Sequence, residues 1–512
     1  MNKGDLTQHF LGWCFFRSDP WALPLGFTKS FGYPIGINIT FTDSIPLFAF
    51  FFKLLNPILP PEFQYFGIWE LACFILQALF GGLLIRLFFK NFWAQLAGVF
   101  FFTTSPLILM RAFGHSSLSG HWIILLSLYL YFLCKNSEIR LSYYRWISIC
   151  ILTILIHPYF TVMSFIIYLG YEADIINRTK KWKSSIIRFF IMVASILAAS
   201  FLIGIYMPGT IYDEAGLGDA SFNLNSLFNP MGWSKFLIKD LPIARPNQYE
   251  GFNYLGLGML ILFLISVFMF FRDIKLSVIK DSLKKHSGLF FITIVLILFS
   301  LSNVYTFYDK VLFIIPLPEF IRKIWTVYRS TGRMFWPVYY LIYLWIFISL
   351  SKQFINGENS WKFLSLLFFA FFIQVIDLND VYKTRGWGGW FSKIVTYDSP
   401  LKSDFWSKAA KTARHIVIIP PGNDDYDVLS YYAVHNKMTM NVGYFARTPW
   451  DAIVAHGLLL TDQIRKGNIP ADTLFLVRGD KLWNEFSSNS LGIATNIDGR
   501  KVFFSKKMNI PD

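Results

Sequence analysis

The chain is short of charge. Only 15% of its 512 residues are Asp, Glu, Lys or Arg, where a soluble domain carries about a quarter. That shortage excludes an ordinary water-filled exterior for most of the chain. Acids are scarcer than bases, 32 against 47, and the bases fall in short clusters between apolar runs rather than along one stripe, which argues against a nucleic-acid surface. Four cysteines, Cys14, Cys73, Cys134 and Cys150, show neither a disulfide framework nor metal-ligand spacing. The N-terminal stretch has no apolar run long enough for a secretory signal, so internal helices direct insertion. There is no internal repeat, and no G-x-G-x-x-G follows a strand, which speaks against a nucleotide cofactor.

What is abundant is apolar and aromatic: 54% hydrophobic residues, 19% aromatic, 56 of them Phe. Long unalternating runs of this kind predict spanning helices rather than a closed barrel. Good spans are expected near 66–88, 93–110, 117–134, 187–207 and 254–271, with shorter ones near 288–302, 336–351 and 361–376. Arg145 to Tyr171 is broken by His157 and Pro158 and reads as one kinked helix or a hairpin of two short ones. A hairpin puts the clusters at Arg86 and Lys90, Lys135 to Arg145, Arg178 to Arg188, Arg272 to Lys285 and Lys352 on one side, as the positive-inside rule requires. Residues 1–44, 208–253, 303–335 and the tail then share the other, non-cytoplasmic side. Ile45 to Leu59 is half a span in length and reads as a helix lying in the interface.

The expected fold is mainly α: a polytopic transmembrane bundle with a small C-terminal α/β domain. The predicted division is a first loop with its interfacial helix at 1–60, a bundle at 61–376 with outer loops 208–253 and 303–335, and an α/β domain at 377–512. In the last, strands at His415–Pro420, Met438–Phe445 and Thr473–Arg478 alternate with helices at Tyr426–Lys437 and Pro449–Lys466, and a hairpin turns at Asp-Gly.

Three clusters carry chemistry. Around Asp5, His9, Trp13, Arg17 and Trp21, with Asp43 following, an acid beside imidazole and indole suits a general base acting on a sugar hydroxyl. The alternative is a solvated Asp5, an Asp43 that N-caps the next helix and Trp residues that anchor at the interface. In RAFGHSSLSGHW, Arg111 and His115 lie one helical turn apart and could hold one anion, while His121 completes no metal spacing. In YRSTGRMFWP, Arg329 and Arg333 stand on the outer side against the positive-inside trend, which suggests a phosphate partner or lipid headgroups. The loop between carries Asp213, Glu214, Asp219 and Glu250, the last ordering a substrate or capping the following helix. Tyr444 and Arg447 offer a carbohydrate contact or loop packing.

The strings GDLTQHFLGWCFFR, TDSIPLFAFFFK, NPMGWSKFLIKDLP, QYEGFNYLGLG and YRSTGRMFWP resemble a bacterial family of multi-spanning proteins of unassigned function, similar in turn to membrane glycosyltransferases of the GT-C class. The likeness runs from about residue 4 to 376. It implies a bacterial inner-membrane enzyme, GT-C-like in fold, that moves a sugar with inversion from a polyprenyl-phosphate donor to a cell-surface glycan such as the O-antigen of lipopolysaccharide. It also implies a periplasmic C-terminal domain. Asp5 would be the base, Asp43 the second choice, and Arg111, Arg329 and Arg333 the phosphate ligands; His9, Arg17, His115 and Glu250 complete the substrate-binding set. No cofactor is named and a divalent metal is left open. Relatives carry a membrane helix before the Gly-Asp string, whereas Met1, Asn2 and Lys3 alone precede Gly4 here. The rival readings are a lipid-linked glycan flippase, which needs ionisable groups deep in the spans, and a non-catalytic envelope scaffold.

Overall fold

The computed structural model describes residues 4–510 apart from 113, 135–138, 208–216, 239–240, 274–275, 355–359, 388–397, 489 and 491. Lys135, Asp213 and Glu214 therefore lie outside the described residues. The protein is mainly helical and belongs to the membrane. Six described helical segments are long and apolar enough to cross a bilayer: Phe66–Arg86, Phe92–Arg111, Ser116–Cys134, Pro158–Thr179, Trp182–Ile203 and Thr331–Ser351. The run expected at 254–271 is a helix of 16 residues, Leu257–Arg272.

The chain forms two compact units, one of residues 66–197 and 212–393, the other of residues 1–65, 198–211 and 394–512. The first segment, read from the sequence as a loop region of its own, is thus grouped with the C-terminal α/β region.

The larger unit is the helical one. His157 and Pro158 do break the chain: Ile139–Ile154 ends, the His157 side chain accepts the amide of Tyr159 at 3.2 Å, and Pro158–Thr179 begins with proline at its first position. The two helices pack on each other as a hairpin, but the second has 22 residues and is no short arm. With lipid outside, helices gain little from burying leucine and associate where small residues let backbones touch. Pro158–Thr179 meets Ser287–Leu301 in this way, for a Cβ on Gly288 would stand 2.0 Å from the carbonyl oxygen of Gly170. Leu257–Arg272 meets Ser360–Asp377 likewise, a Cβ on Gly258 falling 1.9 Å from the carbonyl oxygen of Ala370.

The other unit is built on a five-stranded sheet in the order 439–440, 415–419, 473–477, 500–505, 492–497, the first three strands parallel and the last two antiparallel. Because side chains alternate across a strand, Val417, Ile419, Phe475, Val477 and Phe503 share one face and pack with Leu460 and Ile464 of helix Trp450–Arg465 and Phe486 of Asp480–Ser487. The helix Tyr426–His435 packs on the parallel strands and is met by Asp5–Ser18, with Phe10 stacked over Tyr431 at 6.4 Å. The strand expected over Met438–Phe445 is only Thr439–Met440, because Gly443 and Phe445 turn to pack on Phe31.

The first segment docks beside that short strand through one carboxylate. Asp19 accepts the hydroxyl of Thr28 at 2.6 Å and the amides of Lys29 and Ser30 at 2.7 and 3.0 Å, which turns the chain so that Ser30 and Tyr33 exchange backbone hydrogen bonds with Met440. Tyr33 then stacks on His415 with ring centroids 4.6 Å apart.

Two outcomes follow. Gly288→Val should lower the stability of detergent-solubilised protein by about 1–3 kcal/mol, the usual cost of overpacking, read by thermal or SDS unfolding. Burial holds the His415 imidazole below its ordinary 6.5, with Asp472 opposing in part. The unfolded chain therefore binds the proton first, and the stability this histidine contributes is complete above 6.5 and lost as pH falls from there towards its folded pKa. Hydrogen exchange at strand 415–419, corrected for intrinsic rates, should show protection falling between pH 7.5 and 5.5, and His415→Gln should flatten that dependence.

Candidate functional site

Of the candidate site residues, three far apart in sequence meet in the helical unit: Arg111, Glu250 and Arg333. Arg111 ends the helix Pro106–Arg111, Glu250 sits in a 3-10 turn at Pro246–Gly251, and Arg333 sits in another at Thr331–Phe335. Two glycines allow this. A Cβ on Gly332 would come within 2.6 Å of the Gly251 Cα, and one on Gly251 within 2.3 Å of the Ser221 carbonyl oxygen, so the backbones beside Glu250 and Arg333 are in contact.

The Glu250 carboxylate is gripped from both sides. Arg333 Nε and Nη2 reach Oε2 and Oε1 at 3.0 and 2.9 Å, the forked geometry that guanidinium favours. Arg111 Nη1 reaches Oε2 at 2.9 Å, and its Nη2 donates to the Glu250 carbonyl oxygen at 3.2 Å. Burial by itself would raise the Glu250 carboxyl, but Arg111 and Arg333 outweigh it and, with a smaller effect of His115, hold it well below the ordinary carboxylate range. Aromatic faces close the cluster: the Arg333 guanidinium lies 4.8 Å from the Tyr159 ring centre and that of Arg111 lies 5.3 Å from Trp336.

The anion that Arg111 and Arg333 hold is therefore the protein's own. Two guanidiniums thus share one carboxylate, and the Arg111 Nε is buried without a hydrogen-bond partner among the described residues. Glu250 does not cap the helix that follows, which starts at Leu257 behind Gly256 with no side-chain cap. His115 is half-buried and its Nδ1 lies 3.1 Å from the Ser117 hydroxyl. Arg329 is partly exposed and forms no ion pair among the described residues.

In the other unit the structure brings His9 to Asp43. Helix Asp5–Ser18 lies so close to the turn at 39–44 that a Cβ on Gly12 would stand 2.1 Å from the Thr42 hydroxyl oxygen. Gln8 Nε2 donates to the Phe41 carbonyl at 3.0 Å, and Ser44 Oγ donates to the His9 carbonyl at 2.8 Å. These bonds fix the helix against the turn and set an imidazole nitrogen of His9 within 4.8 Å of an Asp43 carboxylate oxygen. Both residues are buried. Asp43 has φ 52° and closes the 3-10 turn Ile39–Thr42; it does not N-cap the helix Pro46–Leu54, whose cap position is Ile45. Asp5 is half-buried in the first turn of its helix, near enough to Tyr426 that, after burial, Asp427 and Tyr444, it helps push that phenol up.

Arg17 has another occupation. Its Nε donates to Asn56 at 2.8 Å and its Nη atoms donate to the carbonyls of Pro60, Pro61 and Phe63, so it ties down the segment after the helix Pro46–Leu54. Ala446 donates its amide to the Phe41 carbonyl at 2.7 Å, which makes the loop carrying Tyr444 and Arg447 a packing element, with the Tyr444 ring still exposed. Sequence reasoning missed Tyr159 and Trp336, whose roles depend on which cation they lie under. It missed too Asp377, which accepts from Tyr254 at 3.0 Å and from the Lys235 amide at 3.1 Å. A lone acid closing an apolar run was the available signal.

A family profile described as "Domain of unknown function (DUF6311)" matches residues 1–379. The chain belongs to the DUF6311 family. A second profile, "DUF6311 C-terminal domain", matches residues 405–503, the span of the five-stranded sheet in this DUF6311 protein. No curated protein matches the chain.

Removing the shared carboxylate should be costly. Glu250→Gln removes the carboxylate that both guanidiniums pair with and should destabilise the protein by about 3–5 kcal/mol. Arg111→Met combined with Glu250→Gln should cost less than Glu250→Gln alone, and a double-mutant cycle on unfolding in detergent measures the coupling.

Proposed function

We propose that this DUF6311 protein is a GT-C-like, inverting glycosyltransferase of a bacterial inner membrane. Its substrates are a sugar on a polyprenyl-phosphate carrier and an acceptor glycan of the cell surface, O-antigen or a similar polymer. Transfer takes place on the periplasmic side, where the C-terminal region is also assigned. The observation that carries the reading is the buried Asp43–His9 pair, a carboxylate beside an imidazole fixed by the packing of the first helix on the 39–44 turn. Such a pair suits a general base, since an acid needs a fixed position and an environment that tunes it.

In the proposed reaction the acceptor hydroxyl oxygen attacks the anomeric carbon, the bond from that carbon to the phosphate oxygen breaks, and the hydroxyl proton passes to Asp43. The leaving phosphate keeps the electron pair, and positive charge stabilises it. Arg111, Arg329 and Arg333 are assigned to that phosphate by charge alone: Arg111 and Arg333 both pair with Glu250, and Arg329 forms no ion pair among the described residues. Asp5, at a helix start and half-buried, is the second choice of base. A divalent ion would find in His9 and Asp43 one nitrogen and one oxygen donor, an incomplete set on their own.

Purified full-length protein given radiolabelled polyprenyl-phosphate sugars and an acceptor glycan should transfer label, and Asp43→Asn should lower kcat by about 10²-fold or more at unchanged melting temperature. Asp5→Asn should lower it less, and an EDTA arm reports on a metal. Absence of transfer from every donor, or Asp43→Asn turning over like the wild type, would remove the proposal.

A further inference from the structure

One part of the helical unit is exposed and apolar where a soluble surface would be polar. After the helix Ser287–Leu301 the chain forms a hairpin, Val304–Phe307 paired antiparallel with Lys310–Ile314, and then a short helix, Glu319–Thr326. The inner strand is anchored. Thr306 takes a hydrogen bond from Gln248 Nε2 at 2.6 Å and its carbonyl takes the Leu224 amide at 3.0 Å, while the carbonyl of Tyr308 accepts from Asn223 Nδ2 at 2.8 Å. The outer strand is exposed on both faces, with Phe313 stacked on Tyr305 of the inner strand at 4.4 Å between ring centroids. Leu312, Phe313 and Ile314 are 50%, 52% and 55% exposed, and Phe320 on the following helix is 67% exposed.

We propose that this hairpin and helix are a membrane-docking element whose partner is the lipid bilayer at its headgroup–hydrocarbon boundary. Two observations select that partner. The hairpin continues directly from a helix whose own Phe290, Phe291 and Leu298 are exposed as a lipid-facing side chain would be. Trp325 stacks on Phe299 with ring centroids 5.0 Å apart and planes 22° from parallel, which holds Glu319–Thr326 at the level of the last turn of that helix. Charge agrees with depth, because Lys310 is exposed beside the apolar residues, at a length that reaches headgroup phosphates, and the exposed Lys323 pairs with Glu319 on the same short helix. The outer strand edge also carries backbone donors and acceptors without a second neighbouring strand among the described residues. Those groups need water or headgroups, so the element lies along the boundary and does not enter the hydrocarbon centre. Lipid contact follows as its role, independently of the reaction proposed above.

Spin-label accessibility tests it on the full chain in liposomes. The native cysteines are buried, so a label at Phe313→Cys reports its own site, with Leu312→Cys as a second position and Ser407→Cys, exposed in the α/β region, as the aqueous reference. The expected result is a several-fold lower collision rate with a water-soluble nickel chelate at 313 and 312 than at 407, together with a higher rate with oxygen. Nickel accessibility equal to that at 407 would overturn the proposal. So would spin–spin broadening at 313 that disappears on dilution with unlabelled protein, since it would show a second copy of the chain on the strand.

Discussion

The helical unit depends on a demand that lipid and apolar side chains impose: a charge placed among them must be met by an opposite charge from the same chain. Glu250 meets it for two arginines at once. Its carboxylate joins the end of one helix at Arg111, a loop turn at 246–251 and the turn at 331–335 that opens another helix. Three segments, 139 and 83 residues apart at these side chains, are thereby held in one arrangement. The aromatic rings of Tyr159 and Trp336 and the backbone contact at Gly251 and Gly332 serve the same end, since the rings lie against the guanidiniums and the glycines let the two turns approach.

The other unit obeys a milder version of that demand. Asp19 organises residues 28–30 with its carboxylate, Arg17 gathers the carbonyls of 60–63, and Ser44 and Gln8 fasten the first helix to the turn at 39–44. Each is a side chain spent on backbone groups in a region with little regular structure, where loop carbonyls and amides have no ladder partner. The result is a rigid seat for His9 and Asp43. A polar first segment thus becomes as ordered as the sheet beside it, and that order is what makes its acids worth considering as chemistry at all.

The two groups of residues differ in their chemistry. The arginine cluster has its anion within the chain, in Glu250, while the Asp43–His9 pair joins an acid to an imidazole. An alcohol acceptor needs a base held in place, and this is the chemical ground on which the proposed transfer stands.

The sequence by itself determined the solvent of the chain, the helical class, most span positions, the break at His157 and Pro158, and the strand–helix alternation of the C-terminal region. These depend on hydropathy over windows of residues and on proline and glycine, which act locally. It also picked Arg333 from charge on an unfavourable side, Arg111 from its spacing to His115 and Glu250 as an acid in a polar loop, though it assigned the arginines an external anion. Only the tertiary structure decided that their anion is Glu250, that Arg17 is committed to backbone carbonyls, that Asp43 lies by His9 with a left-handed backbone, and that residues 1–65 fold with 394–512. The reason is that such pairings join residues far apart in the chain, from His9 and Asp43 to segments at its two ends, and a partner's identity is fixed by which backbones can come close enough to bring two side chains into reach.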